Sequence, residues 1–283
     1  MSTRYGETLQ SNVVSNRVDE RRRDFAFSVL GGPTTVVDIG GRRIVMDPTF
    51  DQPGPHDYLT KTAGPAVTAA ALGSIDVVLV SHDQHPDNFD QQGRELARAV
   101  PLVLTHPGAA GRLGPPAVGL KPFESFELSG PNGAKGLTVQ AVPAVHGPAD
   151  GQRDASGHVN CEVTGFVLSG PDVPTVYLSG DNASIGTVKA VAERVGPVDV
   201  AVLFAGAARV QTKERGRPLT LTGQRAAAAA EVLGARLVIP AHVDGWAHFS
   251  EGVDEFASAF DEAGIGDVLA VAPHGEWIVP NWL

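Results

Sequence analysis

The sequence predicts a layered α/β protein, and three observations carry that reading. Short apolar runs crowd the chain before Asp181, and beyond it helix-like and strand-like segments alternate. Strands followed by alternating elements pack as helices on sheets. The 33 glycines and 21 prolines mark many turns, hence many short elements rather than a helical bundle.

Taken in order, residues 1–30 are a polar lead-in, expected to be helical because VDERRRDFAFSVL mixes charge and apolar residues at roughly helical spacing. TTVVDI, the pair Gly40-Gly41 and RRIVMDP read as a hairpin, since paired glycines supply the positive φ of a tight turn. IDVVLV is a buried strand, GRELARAV a helix and PLVLT another strand. FESFEL, LTVQAVPAV, Gly165–Leu168 and Thr175–Leu178 continue as strands. SIGTVKAVAERV, GQRAAAAAEVLG and VDEFASAFDEAG are helices; VDVAVLF, ARLVIPA, DVLAVA and EWIVP are strands. No Ser- or Pro-rich linker interrupts the chain, so residues 1–283 read as one domain, with 1–30 as its lead-in.

Composition narrows the function. A 42% hydrophobic chain with a mean hydropathy of −0.01 can bury a sizeable core. A net charge of −10 and a pI near 5.3 argue against a nucleic-acid partner, which needs a basic face. No apolar run reaches the roughly 18–20 residues that span a bilayer, so no membrane partner is expected. Cys161 is the one cysteine, which excludes an intrachain disulfide and a thiolate cluster and reads as a small core hydrophobe. With no apolar leader in the first residues, the expected location is cytoplasmic. A homo-oligomer is compatible with all of this.

The segment SHDQHPDNFD, residues 81–90, places two histidines and three aspartates directly after a buried strand. Such a loop either faces water or converges on a cation. His82, His85 and Asp87 follow the strand ending at Val80, His146 follows LTVQAVPAV, Asp181 follows TVYLSG and His242 follows RLVIPA. Each ligand type therefore sits just past the carboxyl end of a strand, on the rim where rigid elements fix side chains. Any one of them alone has an ordinary structural reading; Asp181 could cap the next helix, with Ser184 competing for that role. Four strand ends together favour a metal site that activates water.

With these residues in place, the sequence resembles the metallo-β-lactamase superfamily, in its branch of ascorbate-6-phosphate lactonase-like metal-dependent hydrolases. The resemblance runs from about Thr34 to Pro280 and is carried by IVMDPTF, VVLVSHDQHPDNFD, VPAVHGP, VYLSGDN and VIPAHVDGW. It implies a four-layer αββα sandwich of two mixed sheets flanked by helices, with the site in a cleft along one sheet edge. It implies His82, His146 and His242 as ligands, Asp181 as the carboxylate bridging two cations, and Asp87 as both ligand and catalytic group. The family motif HxHxDH is where this sequence departs. Either one residue is inserted, so that His82 and His85 both ligate, or Asp83 takes the first-histidine position beside His85. The inserted reading is the expectation, with Gln84 at the variant position and Asn88 in place of the last histidine. Because an amide oxygen is a weaker donor than imidazole, one cation is expected to bind tightly and a second weakly. The expected metal is zinc, with manganese or iron as alternatives.

Three further residues are candidates for the substrate cleft: His158, Trp246 and His248. Plain loop and packing roles compete for each. Asp47 is a candidate to orient a metal-bound histidine from behind, or to initiate the turn at Pro48. The leading expectation is a metal-dependent hydrolase acting on a lactone, ester, amide or phosphodiester of a small molecule. A degenerate-site binding or scaffold protein, and an iron-dependent oxidoreductase of the same fold, are the alternatives.

Overall fold

The computed structural model describes residues 13–129, 136–148 and 160–282. Its first strands are β1 (Val13–Arg17), β2 (Phe25–Gly31), β3 (Thr34–Ile39) and β4 (Arg42–Met46), followed by a small hairpin of β5 (Gly54–His56) and β6 (Leu59–Lys61). Next come β7 (Val77–Leu79), helix α1 (Gln91–Ala99), β8 (Val103–Thr105), helix α2 (Pro107–Leu113) and β9 (Ala117–Gly119). β10 (Ser125–Leu128), β11 (Leu137–Pro143), β12 (Thr164–Gly170) and β13 (Val173–Leu178) lead to helix α3 (Ile185–Val195). β14 (Val200–Phe204), helix α4 (Gly223–Leu233), β15 (Leu237–Ala241), helix α5 (Val253–Glu262) and β16 (Glu276–Ile278) complete the order.

One sheet runs β1-β16-β2-β3-β4-β7-β8-β9 and the other β10-β11-β12-β13-β14-β15. Both are mixed: β4, β7, β8 and β9 are parallel, as are β13, β14 and β15, while the other pairs are antiparallel. The period-two side-chain alternation sorts each strand between two cores. Val37, Ile44, Leu79 and Leu104 from one sheet meet Val139, Phe166, Val202 and Ile239 from the other. On the far side of the second sheet, Ala201, Leu203 and Val238 pack on Val188, Ala229, Leu233 and Phe256 of α3, α4 and α5. Behind the first sheet, Val36, Val45 and Val78 pack with Phe89 and Ala97 of the α1 region. Helix, sheet, sheet and helix form four layers.

Two expectations for elements fail. The segment read as a helical lead-in contains β2, which lies between β16 and β3. Phe25 and Phe27 enter the core between the sheets while Ala26 and Leu30 enter the outer one, so both faces are buried and the helical spacing was coincidental. The charged stretch before it is anchored by the buried Arg43, which pairs with Asp38 at 2.8 Å and donates to the carbonyls of Asp19 and Arg21. DVLAVA forms a 3-10 turn at Gly266–Val268 and only a single bridge, Leu269 to Val238, rather than a strand. Among the described residues no helix is long and apolar enough to cross a membrane.

Topology places the site. β11, β13 and β15 point the same way, so residues 144–146, 179–181 and 242 gather at one end of the second sheet. The loop after β7 reaches them from the first sheet: Thr164 N donates to Ser81 O at 3.0 Å.

Candidate metal centre

His82 sits at the carboxyl end of β7, where Ser81 fixes its ring. Ser81 donates its backbone N–H and its hydroxyl to the two carboxylate oxygens of Asp47, each at 2.6 Å. A hydroxyl has one proton, so Ser81 Oγ, 2.9 Å from His82 Nδ1, accepts there. His82 therefore carries its proton on Nδ1 and presents a bare Nε2. His146 repeats this arrangement, with Nδ1 3.1 Å from the carbonyl of Leu219. Both Nε2 atoms converge on His85 Nδ1, at 2.9 Å from His82 and 3.1 Å from His146. Three buried imidazoles thus aim nitrogen at one point. Burial lowers the pKa of His82 and His146 well below the usual value and that of His85 to about 4, so the rings are neutral near pH 7.

A second group lies beside the first. One ligand atom each from Asp87, Asp181 and His242 lie within 4.8 Å of one another. His242 Nε2 is 3.3 Å and His248 Nε2 3.0 Å from Asp87 Oδ2, while Asp181 Oδ2 is 3.3 Å from His146 Nε2. Burial alone would raise Asp87, but hydrogen bonds and charge from His242 and His248 outweigh it and hold the carboxyl well below its ordinary range. Asp181 is pushed the other way, by burial and then by the charge of Asp87. Ser184, not Asp181, caps α3, accepting from Thr187 N at 3.3 Å.

The backbone is shaped for this centre. Asp47 and His242 both hold positive φ, 43° and 56°, which bulky residues rarely adopt away from functional sites. Gly180 has φ 55°, and a Cβ there would stand 2.7 Å from Thr164 O and 2.8 Å from Ser81 Cβ. Only glycine lets β13 deliver Asp181 so close to His82.

The residues fit a divalent cation. Asp87 Oδ1, Asp181 Oδ2 and His242 Nδ1 are buried with no hydrogen-bond partner among the described residues, an arrangement costly for the apoprotein and relieved by a positive charge. The donor set, imidazole nitrogen and carboxylate oxygen, suits zinc, iron or manganese.

Comparison with known proteins agrees with this fold. The profile of the beta-lactamase superfamily domain matches residues 42–243, from β4 to just past His242. The chain belongs to the metallo-β-lactamase superfamily. A metal-dependent hydrolase of Methanosphaerula palustris is 30% identical over 202 residues, covering 71% of this chain and 82% of that protein. A possible metal-dependent hydrolase from Veillonella parvula has the same fold, with a TM-score of 0.78 at 18% identity over 91% of this chain and 100% of its own. Isothiocyanate hydrolase from Delia radicum gut bacteria superposes with a TM-score of 0.76 at 19% identity, covering 90% and 98%.

Within this metallo-β-lactamase fold, the structure brings His82, His85, Asp87, His146, Asp181 and His242 together, and turns other candidates away. Asp83 pairs with Arg112, and Gln84 is exposed, so neither reaches the cluster. The amide nitrogen of Asn88 lies 3.1 Å from Asp47 and 3.0 Å from Asp181; it offers the centre a donor, not a ligand oxygen. Asp47 reaches His82 only through Ser81, and burial raises it to about 7. Trp246 is buried under Lys61, with His56 against its ring, so it packs rather than walls a cleft. His248 lies beside Asp87, its Nε2 3.0 Å from Oδ2. His158 lies outside the described residues.

Sequence reasoning misses Ser81 and Lys213, whose Nζ stands 3.4 Å from His85 Nε2, and takes for a core hydrophobe Cys161, whose sulfur lies within 4.8 Å of the ligand nitrogens of His82, His85 and His146. The hydroxyl of Ser81 stands next to the first histidine and was readable as its support. Cys161 and Lys213 carry no local signal; only the fold brings them here.

Proposed function

We propose that this member of the superfamily, a metal-dependent hydrolase, cleaves a lactone, ester, amide or phosphodiester bond in a small molecule at a two-cation centre. The carrying observation is the adjacency of the His82, His85, His146 group and the Asp87, Asp181, His242 group, all buried and all aimed inward. A cation bound there supplies Lewis acidity, which acidifies water and polarises the scissile bond.

The chain's own groups supply the rest. Ser81 and Leu219 fix the tautomers of His82 and His146. Asp87, ionised and hydrogen-bonded by His242 and His248, orients a water and takes its proton. Beside His146 and Cys161 a cavity of 490 Å³ opens, walled by His106, Leu120, Pro122 and Val145. That volume suits a small molecule. Lys213 stands beside His85, its Nζ 3.2 Å from Tyr58 OH and 3.4 Å from His85 Nε2, and supplies a positive charge for an anionic substrate group. We place the protein in a reducing cytoplasm, which suits the free thiol of Cys161.

The test is elemental analysis of the purified protein, followed by chelation, reconstitution and hydrolysis assays on lactone, ester, amide and phosphodiester panels. Bound metal with chelator-sensitive, metal-restored turnover is expected. Absence of metal, or turnover at the background rate on every panel, rejects the reading.

A further inference from the structure

The sulfur of Cys161 lies within 4.8 Å of the ligand nitrogens of His82, His85 and His146. We propose that Cys161 is the fourth protein ligand of the cation held by these three histidines, making that position a three-nitrogen, one-thiolate site. The inference rests on the metal reading above and adds to it a residue, a geometry and a metal preference.

Three observations carry it beyond a solitary thiol. First, Cys161 is buried and, among the described residues, lines the cavity beside His146 rather than joining the three apolar clusters. Second, the residues on either side of it are tied to the centre. Thr164 N donates to the carbonyl of Ser81 at 3.0 Å, and Asn160 Oδ1 lies 3.5 Å from Lys213 Nζ, itself beside His85. Between them Glu162 reaches out to His106 at 3.4 Å, which leaves Cys161 on the inner side. Third, and independently of the cysteine, the tautomers of His82 and His146 leave two bare nitrogens pointing at one spot with His85 Nδ1.

The dimensions agree. Ligands at about 2.1–2.3 Å around a tetrahedral cation stand about 3.5 Å from one another. His85 Nδ1 stands 2.9 and 3.1 Å from Nε2 of His82 and His146, and the sulfur, within 4.8 Å of all three, moves inward to complete the set. On binding, the S–H bond is exchanged for a sulfur–metal bond and the proton leaves to solvent. A thiolate favours zinc, cobalt or ferrous iron over magnesium, calcium or manganese. Four protein ligands close this position, as in sites that hold metal firmly, and leave open coordination to the Asp87, Asp181 and His242 position.

Cobalt(II) tests this without relying on activity. The metal-free protein is titrated with cobalt and its absorption recorded. The expected spectrum shows visible bands of low-symmetry cobalt together with a near-ultraviolet thiolate-to-cobalt charge-transfer band. In Cys161→Ser the visible bands persist, the charge-transfer band disappears and cobalt affinity falls by at least about tenfold. Visible bands without the charge-transfer band in the natural protein, or a band unchanged in the variant, overturn the inference while leaving the metal reading intact. Failure to bind cobalt at all overturns the metal reading and this inference with it. Should Cys161→Ser not fold, the spectrum of the natural protein still decides, with Cys161→Ala as the second variant.

Discussion

Arg112 grips the carboxylate of Asp83 through three contacts of 2.6, 2.9 and 3.2 Å, and that pair holds Asp83 outside the histidine cluster. With Asp83 facing Arg112, and its carbonyl accepting from Arg94, the loop turns its next side chains the other way. His82 and His85 then share one face while Gln84 points to solvent. Both histidines thereby reach the cluster while Asp83 does not.

Two substitutions separate these roles. Asp83→Ala should leave cation affinity within about twofold, because groups that share no partner act nearly independently. It should lower stability by roughly 1–3 kcal/mol, the worth of a charged hydrogen-bonded contact. His85→Ala should cost more than about a hundredfold in affinity, beyond the usual effect of a supporting residue. Calorimetric metal titration and urea unfolding read both. The threading is wrong if Asp83→Ala releases the cation.

Asn88 offers a second test. Its amide nitrogen bridges Asp47 and Asp181, and its oxygen is buried without a partner. In Asn88→His one ring nitrogen replaces the donor to Asp47 and the other faces the Asp181 and His242 position. The second cation should bind about tenfold tighter, with metal per chain rising toward two. Overpacking should destabilise the metal-free variant by about 1–3 kcal/mol. Unchanged stoichiometry and affinity would count against a second position here.

Much of this was legible because the strand ends are. Val80, Leu178 and Ala241 each close a dense apolar run, so the ligand types that follow them stand out against polar loops. The hairpin at Gly40-Gly41 was equally plain, since its turn holds positive φ at both residues. β2 was misread because a strand buried on both faces has no alternation to distinguish it from a helix. Cys161 and Lys213 lie outside every motif, and nothing in the spacing places His248 against Asp87. Such relations depend on tertiary distances, which spacing along the chain does not encode.

The chelated protein should lose stability as pH falls from about 6.5 toward 4. His85 has a folded pKa near 4, and burial likewise depresses His82, His146 and His242. Between those values the unfolded chain, with ordinary imidazoles near 6.5, binds more protons, so protonation favours unfolding. Asp47, raised to about 7, and Asp181 act with the opposite sign: their contribution is complete below their unfolded values and lost as pH rises through the folded ones. Four imidazoles against two carboxylates leave a net loss toward acid. Thermal melts of metal-free protein should show Tm falling by roughly 5 °C or more across that window, and His85→Ala should flatten the curve. A Tm that rises toward pH 4 contradicts the assignment of neutral, buried imidazoles.

The last prediction turns on the His85 ring. In the structure Lys213 Nζ stands 3.4 Å from His85 Nε2, with Tyr58 OH at 3.2 Å and Asn160 Oδ1 at 3.5 Å. A neutral imidazole has one proton. If Nδ1 gives its lone pair to a cation, the proton must sit on Nε2, and that atom can no longer accept from an ammonium, which only donates. Cation binding therefore breaks the contact between Lys213 and His85 and frees the ammonium toward the cleft, still braced over the Tyr58 ring 4.6 Å away. A substrate carboxylate or phosphate is the natural replacement. Assayed on matched ester or lactone pairs that differ by one carboxylate, Lys213→Met should raise KM for the charged member by about tenfold or more. KM for the neutral member, kcat for both and bound metal should stay within about twofold. Equal losses on both members would instead place Lys213 in the scaffold of the centre and remove it from substrate recognition.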